Sequence, residues 1–320
     1  MPTAMTFPPA KLNLFLEIPA RRNDGYHEID TVMAAIDWRD ELRVQSIPEP
    51  RIELDACWLP SRDELERQLG IATPEASEQG LLDLPPANKN LVHVALQRFR
   101  ERFEIRSGFR VELGKRIPAG AGMGGASSDA AHAISCAAQI HQVNRLEPLH
   151  EVAADIGSDV PFFLYPGMIC HAGGRGERLT PIDVEMAMSF VVAYPPVALS
   201  TARVYGELTV PSSPFTSERF QSLLFKREFD VAQREMRNRL QEPAERILPR
   251  TSELLDSLWK SGLQTCQLTG SGSACFGIAR DHAHAIEVAE RLKQELQPGH
   301  LVRAVQSVAA AAPIEILEDE

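Results

Sequence analysis

PAGAGMGGASSDAA, residues 118–131, offers little side chain before Ser127 and then opens onto two serines, an aspartate and alanines. Gly120, Gly122 and Gly125 form a G-x-G-x-x-G pattern, which dinucleotide sites, protein kinases and plain turns all produce. The flanks narrow the choice. FRVELGKRIP (109–118) reads as a strand, and SSDAAHAISCAAQIHQV (127–143) reads as a helix. Bare glycines let backbone N–H groups turn toward a ligand. A helix start adds unpaired N–H groups and a positive dipole end. Strand, glycines and helix together predict an anion cradle, with phosphate the usual anion. Ser127 and Ser128 at the helix start can cap the helix, hold a phosphate oxygen or ligate Mg²⁺. The plain alternative is a turn whose glycines only permit tight packing.

The common phosphate folds do not fit. GGASS has no lysine where a Walker A loop ends in G-K-[ST]. Glu147 lies near the spacing of a Rossmann acid, but in NRLEP, with no strand before it. The H-R-D and D-F-G segments of protein kinases are absent.

Working outward, AKLNLFLEI (10–18) alternates. Ala10, Leu12, Leu14, Leu16 and Ile18 share one face, and Lys11, Asn13, Phe15 and Glu17 share the other. A strand with one face in a core is expected. RRNDGYH (21–27) reads as a loop. HEIDTVMAAI and ELRVQSI read as strands joined by a polar turn at Asp37–Asp40. In the mixed stretch 55–87, SRDELERQLG reads as helix and TPEASEQGLLDLPPANKN as a long loop. NLVHVALQRFRERF (90–103) is an amphipathic helix. LHEVAADIGSDVPFFLYPG holds a short helix and a break at Gly157–Pro161. FFLYP and MICHAGGRGERL read as a hairpin about a Gly-Gly-Arg-Gly turn. SFVVAYPP is a buried strand, 195–217 a Pro-, Ser- and Thr-rich connector, and two helical stretches follow. A second glycine-rich segment, CQLTGSGSACFGIA (266–279), then lies between strand-like flanks. Strands and helices mix without a regular βαβα order, which favours α+β over a doubly wound sheet. A domain boundary falls near 180–195.

The chain has 320 residues, 44% hydrophobic and 24% charged, the balance of a soluble protein of one large or two ordinary domains. A net charge of −11 argues against non-specific nucleic-acid binding. No run approaches the roughly 20 apolar residues of a membrane span, and the N-terminus lacks a secretory pattern. Five scattered cysteines without a C-x-x-C pair read as reduced cytosolic thiols. A cytoplasmic protein is expected.

Three segments in this order, PAKLNLFLEI, IPAGAGMGGASSDAA and LTGSGSACFGI, resemble the three motifs of the GHMP kinases, a family of small-molecule kinases. The central motif of the family has the form P-x-x-x-G-L-G-S/G-S-S. Met123 replaces its leucine, and Ala126 its glycine or serine. K-L-N-L at 11–14, R-x-D-G-Y-H at 22–27, N-L at 90–91 and G-S-D-V-P-F-F at 157–163 resemble one branch. That branch phosphorylates the 2-hydroxyl of a cytidine diphosphate-linked methylerythritol in the non-mevalonate isoprenoid pathway. Other branches act on homoserine, mevalonate or sugars, and a non-catalytic nucleotide-binding protein on the same fold is a further alternative.

The resemblance implies a two-domain α+β fold. Residues 1–182 would form an ATP-binding domain like domain 2 of ribosomal protein S5. Residues 183–320 would form a C-terminal ferredoxin-like α/β sandwich. It implies ATP and Mg²⁺ as cofactors, with metal ligands unassigned, and a small-molecule partner bound by a monomer or homodimer. Asp159 matches the family's catalytic base and Lys11 its active-site lysine, with Asn13 orienting substrate or water. Pro118, Gly120, Gly122, Met123, Gly124, Gly125, Ser127 and Ser128 would wrap the ATP phosphates. Asn90 and Lys115 fit positions that contact adenosine. Tyr26 and His27 would hold the cytosine, with Tyr205 as second stacking aromatic and Thr201 nearby. The segment Gly270–Gly277 either borders the site or only lets a strand pack close to it.

Overall fold

The computed structural model describes residues 1–68, 82–165, 169–184, 187–308 and 313–317. Residues 73–81 of the loop expected over 73–90 lie outside them. The elements run β1 Thr3–Thr6, β2 Pro9–Arg21, β3 His27–Arg39, β4 Glu41–Ile47, β5 Ile52–Trp58, α1 Arg62–Gln68, α2 Leu91–Phe103, β6 Gly108–Lys115, α3 Gly125–Ile140 and α4 Leu146–Ile156. They continue with β7 Ile169–Gly173, β8 Arg178–Pro181, β9 Ser189–Tyr194, α5 Thr201–Gly206, α6 Glu218–Phe225, α7 Phe229–Ala232 and β10 Arg237–Asn238. The chain closes with α8 Gln241–Ile247, α9 Arg250–Lys260, β11 Gln264–Leu268, β12 Cys275–Ala279, α10 His282–Glu295, β13 Leu301–Gln306 and β14 Glu315–Leu317.

Strands assemble in the orders β14-β1-β4-β6-β5, β10-β2-β3-β7-β8 and β11-β12-β9-β13. The mixed α+β architecture expected from the sequence is what the chain adopts. The third sheet comes entirely from residues after 182. The short strands β10 and β14 return from the same half to pair with β2 and β1. No described helix is long and apolar enough to cross a membrane.

Three apolar clusters hold these layers. Leu12 and Leu14 of β2 meet Phe190 and Val192 of β9 and Phe276 of β12. Met33 and Ala35 of β3 join the inner faces of α2, α3 and α4. Strands β9 and β12 bury their other face on α9 and α10 through Leu254, Leu258 and Val288. Alanine-rich α3 packs tightly against the α2 face that carries Val92, Ala95, Leu96 and Phe99. Small side chains permit that approach.

Five local readings change. Strand β2 is buried on both faces, because the glycine stretch and the 266–279 segment cover Lys11 and Asn13. A register shift between Asn13 and Phe15 breaks the alternation and sends Phe15 into the cluster of Leu12 and Leu14. Asp40 is not a solvated turn residue but is fully buried, because backbone N–H groups and a lysine converge on it. Pro161–Leu164 forms a 3-10 turn rather than a strand, and the hairpin lies within Ile169–Pro181. The 195–217 connector contains the helix α5.

Candidate active site

The glycine stretch connects β6 to α3. Gly120, Gly122 and Gly124 have φ of 64°, 75° and 69°, a region L side chains rarely adopt. At Gly122 a Cβ would stand 2.2 Å from the Thr269 carbonyl oxygen, so the loop sits directly on the second glycine-rich segment. The Ala274 N–H donates to the Ala121 carbonyl at 3.2 Å, and the Thr269 hydroxyl to the Gly122 carbonyl at 3.3 Å. Gly270 and Ser271 border the same cavity. The 266–279 segment therefore both buttresses the loop and lines the site.

Helix α3 begins after Gly124 with no side-chain cap. Its first-turn N–H groups remain available to an anion, which is what a phosphate cradle needs. Ser127 lines the cavity. Ser128 does not: its side chain is fully buried, and its hydroxyl has no partner among the described residues. One helical step of about 100° separates the two serines, and of the two Ser127 is the one that borders the cavity.

The loop forms one wall of a cavity of about 920 Å³. On the second wall, Lys11 is buried, with its ammonium 3.6 Å from the Asp159 carboxylate. The ammonium also donates to Asn13 Oδ1 at 2.5 Å and to the Gly122 carbonyl at 2.9 Å. Burial lowers the Lys11 pKa from its ordinary value, against the opposing pull of Asp159. Asn13 is oriented in turn by donating to the Thr31 hydroxyl at 2.9 Å. Asp159 sits in the turn between α4 and the Pro161–Leu164 helix, with its side chain 38% exposed. A lysine and a carboxylate thus face each other beside the anion cradle, one fixed and one accessible.

A third region collects aromatics. Tyr26, His27 and Tyr205 all line the cavity, and the His27 and Tyr205 rings lie 5.1 Å apart. Tyr205 is largely covered. Burial, then the nearness of Asp159, raise its phenol pKa above the ordinary value. Tyr26 is 55% exposed, with the Arg175 guanidinium over its ring at 5.1 Å. Arg175 was not singled out from the sequence. Its only signal was the Gly-Gly-Arg-Gly turn, whose Gly176 packs against Ser158 beside Asp159. Thr201 lines the cavity, its hydroxyl 2.9 Å from that of Ser271.

Asn90, Lys115, Pro118 and Met123 also line the cavity. Asn90 caps α2, its side chain accepting the Val92 N–H at 3.0 Å. The Met123 carbonyl accepts the Lys11 N–H at 2.9 Å. The Lys115 ammonium is clamped between Asp40 and Asp129, at 2.5 Å from the latter. Burial by itself lowers the Lys115 pKa, but the two carboxylates outweigh it and raise it. Sequence reasoning missed this cluster. D-W-R-D reads as a turn, and Asp129 reads as one more polar residue at a helix start.

A fold with an anion cradle, a lysine–aspartate pair and an aromatic pocket around one cavity is that of a small-molecule kinase, and the chain belongs to the GHMP kinase family. Residues 90–167 match the GHMP kinase N-terminal domain and residues 220–297 the GHMP kinase C-terminal domain. Within that family, the chain is 41% identical to the 4-diphosphocytidyl-2-C-methyl-D-erythritol kinase of Rhodopirellula baltica, over 97% of each chain. A crystal structure of a 4-(cytidine 5'-diphospho)-2C-methyl-D-erythritol kinase superposes with a TM-score of 0.72 at 28% identity, covering 95% of this chain and 99% of the other. Homoserine kinase from Cytophaga hutchinsonii shares the fold, with a TM-score of 0.73 at 16% identity over 98% of this chain and 97% of that one.

Proposed function

We propose that the chain transfers the γ-phosphoryl group of Mg·ATP to the 2-hydroxyl of 4-diphosphocytidyl-2-C-methyl-D-erythritol. The observation that carries this reading is one cavity in which the Lys11–Asp159 pair lies between a phosphate cradle and an aromatic pocket. The relatives named above support the choice of acceptor.

The fit to ATP rests on the loop. Gly122 lets the loop press directly on the Thr269 carbonyl, where a Cβ would clash, and so sets its shape. The uncapped first turn of α3 supplies the N–H donors. Magnesium, carried on the ATP phosphates, would neutralise charge that develops during transfer. The acceptor hydroxyl is tertiary, and therefore crowded and a weak nucleophile. Asp159, accessible at its side chain, takes the hydroxyl proton. Lys11 holds that carboxylate and lies close enough to offset charge on the transferring group. Asn13 fixes the lysine. Tyr26, His27 and Tyr205 hold the cytosine, a π-face that stacks on aromatic rings.

The test is a coupled ADP-release assay with Mg·ATP and four acceptors: the cytidyl substrate, homoserine, mevalonate and galactose. ADP release with the cytidyl substrate alone is expected. Release with another alcohol would keep the kinase chemistry and remove the cytosine pocket from the account.

A further inference from the structure

The helix that carries Tyr205 is too short to hold itself. α5 has six residues and puts Thr201 and Tyr205 on the cavity, four positions apart and so on one face. A helix of this length has little stability of its own, and its neighbours must fix it. On one side is the loop between β11 and β12. The Ser271 hydroxyl lies 2.9 Å from that of Thr201, and the Ser273 hydroxyl donates to the Val197 carbonyl just before α5. On the other side, α8 packs against α5. Tyr205 rests on the apolar cluster that includes Leu240, the residue leading into α8.

One buried amide, that of Asn238, joins the two supports. Its Nδ2 donates to the Leu268 and Gly270 carbonyls, each at 2.8 Å. Its Oδ1 accepts the Leu240 N–H at 2.9 Å. The strand that carries it is anchored in turn. β10 pairs with β2, the Arg239 N–H donates to the Leu16 carbonyl at 2.8 Å, and the Arg239 guanidinium meets the buried Glu17. Asn238 therefore passes the fixed position of β2 on to the loop and to the start of α8.

The loop is held differently at its ends and at its tip. Its ends are bonded to the phosphate loop, through the Thr269 hydroxyl on the Gly122 carbonyl and the Ala274 N–H on the Ala121 carbonyl. The tip turns at Gly270, with a φ of 54°, and leads straight into Ser271. The bond from Asn238 to the Gly270 carbonyl fixes that tip.

Resting on the reading that Tyr205 closes the base pocket, we propose that Asn238 is a positioning residue for the cytidyl acceptor. It holds the loop tip and the start of α8, and through them the helix that presents Thr201 and Tyr205. ATP does not depend on it, because the phosphate loop keeps its bonds to Thr269, Ala274 and Lys11. The chemistry requires an amide at this place. A carboxylate would still accept from Leu240 but would set its second oxygen against two carbonyl oxygens, and alanine leaves both carbonyls without that donor.

The test is steady-state kinetics with Mg·ATP and the cytidyl substrate. Wild type is compared with Asn238→Ala, Tyr205→Ala, their double variant and Ser271→Ala. Asn238→Ala is expected to raise the acceptor KM at least about tenfold, with kcat and the ATP KM within about threefold of wild type. In the Tyr205→Ala background the same substitution is expected to add less than about threefold, because the ring it positions is gone. Ser271→Ala breaks the link to Thr201 without touching β10. It is expected to raise the acceptor KM by about three- to tenfold at an unchanged ATP KM. An unchanged acceptor KM in Asn238→Ala, equal rises in both KM values, or full multiplication with Tyr205→Ala would overturn the proposal and leave Asn238 a residue of the fold alone. If Asn238→Ala does not fold, Ser271→Ala decides in the same way, and an acceptor KM it leaves unchanged breaks the proposed path. A wild type that turns over no cytidyl substrate would overturn the acceptor reading itself.

Discussion

One ammonium, that of Lys11, serves Asn13, the Gly122 carbonyl and Asp159 from a buried position. Burial is the largest influence on this ammonium, and the same holds for the imidazole of His132. That imidazole is buried in α3, with Nδ1 2.9 Å from the Ser128 carbonyl. Burial takes its pKa to about 4, below the ordinary 6.5. Between those values the unfolded chain binds more protons than the folded one, so stability falls as pH drops from about 6.5 toward 4. The full effect would be roughly 3 kcal/mol. His132→Gln is expected to show a flatter profile of urea midpoint against pH over that window. Parallel profiles would remove His132 from the acid sensitivity of the fold.

At the scale of elements, the contact between the two glycine-rich segments sets the shape of the loop. Gly122→Ala would place a methyl group on the Thr269 carbonyl at a φ of 75°. Stability is expected to fall by more than about 1 kcal/mol, and the ATP KM to rise at least about tenfold. Gly25→Ala is the control: its φ is 87°, but a Cβ there meets nothing within 4 Å. Its loss is expected to stay near about 1 kcal/mol of backbone strain, with the ATP KM unchanged. Equal effects of the two substitutions would mean that the Gly122–Thr269 approach is not what shapes the loop.

In the whole molecule, the cavity draws on every part of the chain. Tyr26 and His27 lie at the start of β3, Asp159 follows α4, Tyr205 is on α5, and Gly270 follows β11. The third sheet is tied to β2 by Gln267, which donates to the Asn13 and Leu14 carbonyls, and Arg239, just after β10, pairs with the buried Glu17 of β2. Tyr205→Ala is expected to raise the KM for the cytidyl substrate by about ten- to a hundredfold, as loss of one stacked base does, and to leave the ATP KM unchanged. An unchanged acceptor KM would take Tyr205 out of the base pocket. Much of this site was legible in the sequence. Lys11 and Asn13 stand two apart on a strand, the glycines precede a helix, and Asp159 stands before a proline in G-S-D-V-P. What was illegible depends on distant partners. Asp40 is made a core residue by N–H groups some 76 positions away. Ser128 is turned inward by a helical phase that its neighbour Ser127 does not share. Helix α5 is six residues long inside a Pro- and Ser-rich connector, too short for periodicity to reveal.

The central claim is that Asp159 takes the proton of the acceptor hydroxyl while Lys11 holds it in place. The measurement that tests it most directly compares Asp159→Asn with wild type, in turnover of the cytidyl substrate and in binding of each substrate. The account predicts turnover lower by at least about a hundredfold, with both dissociation constants within about threefold of wild type. Wild-type turnover in Asp159→Asn would contradict it.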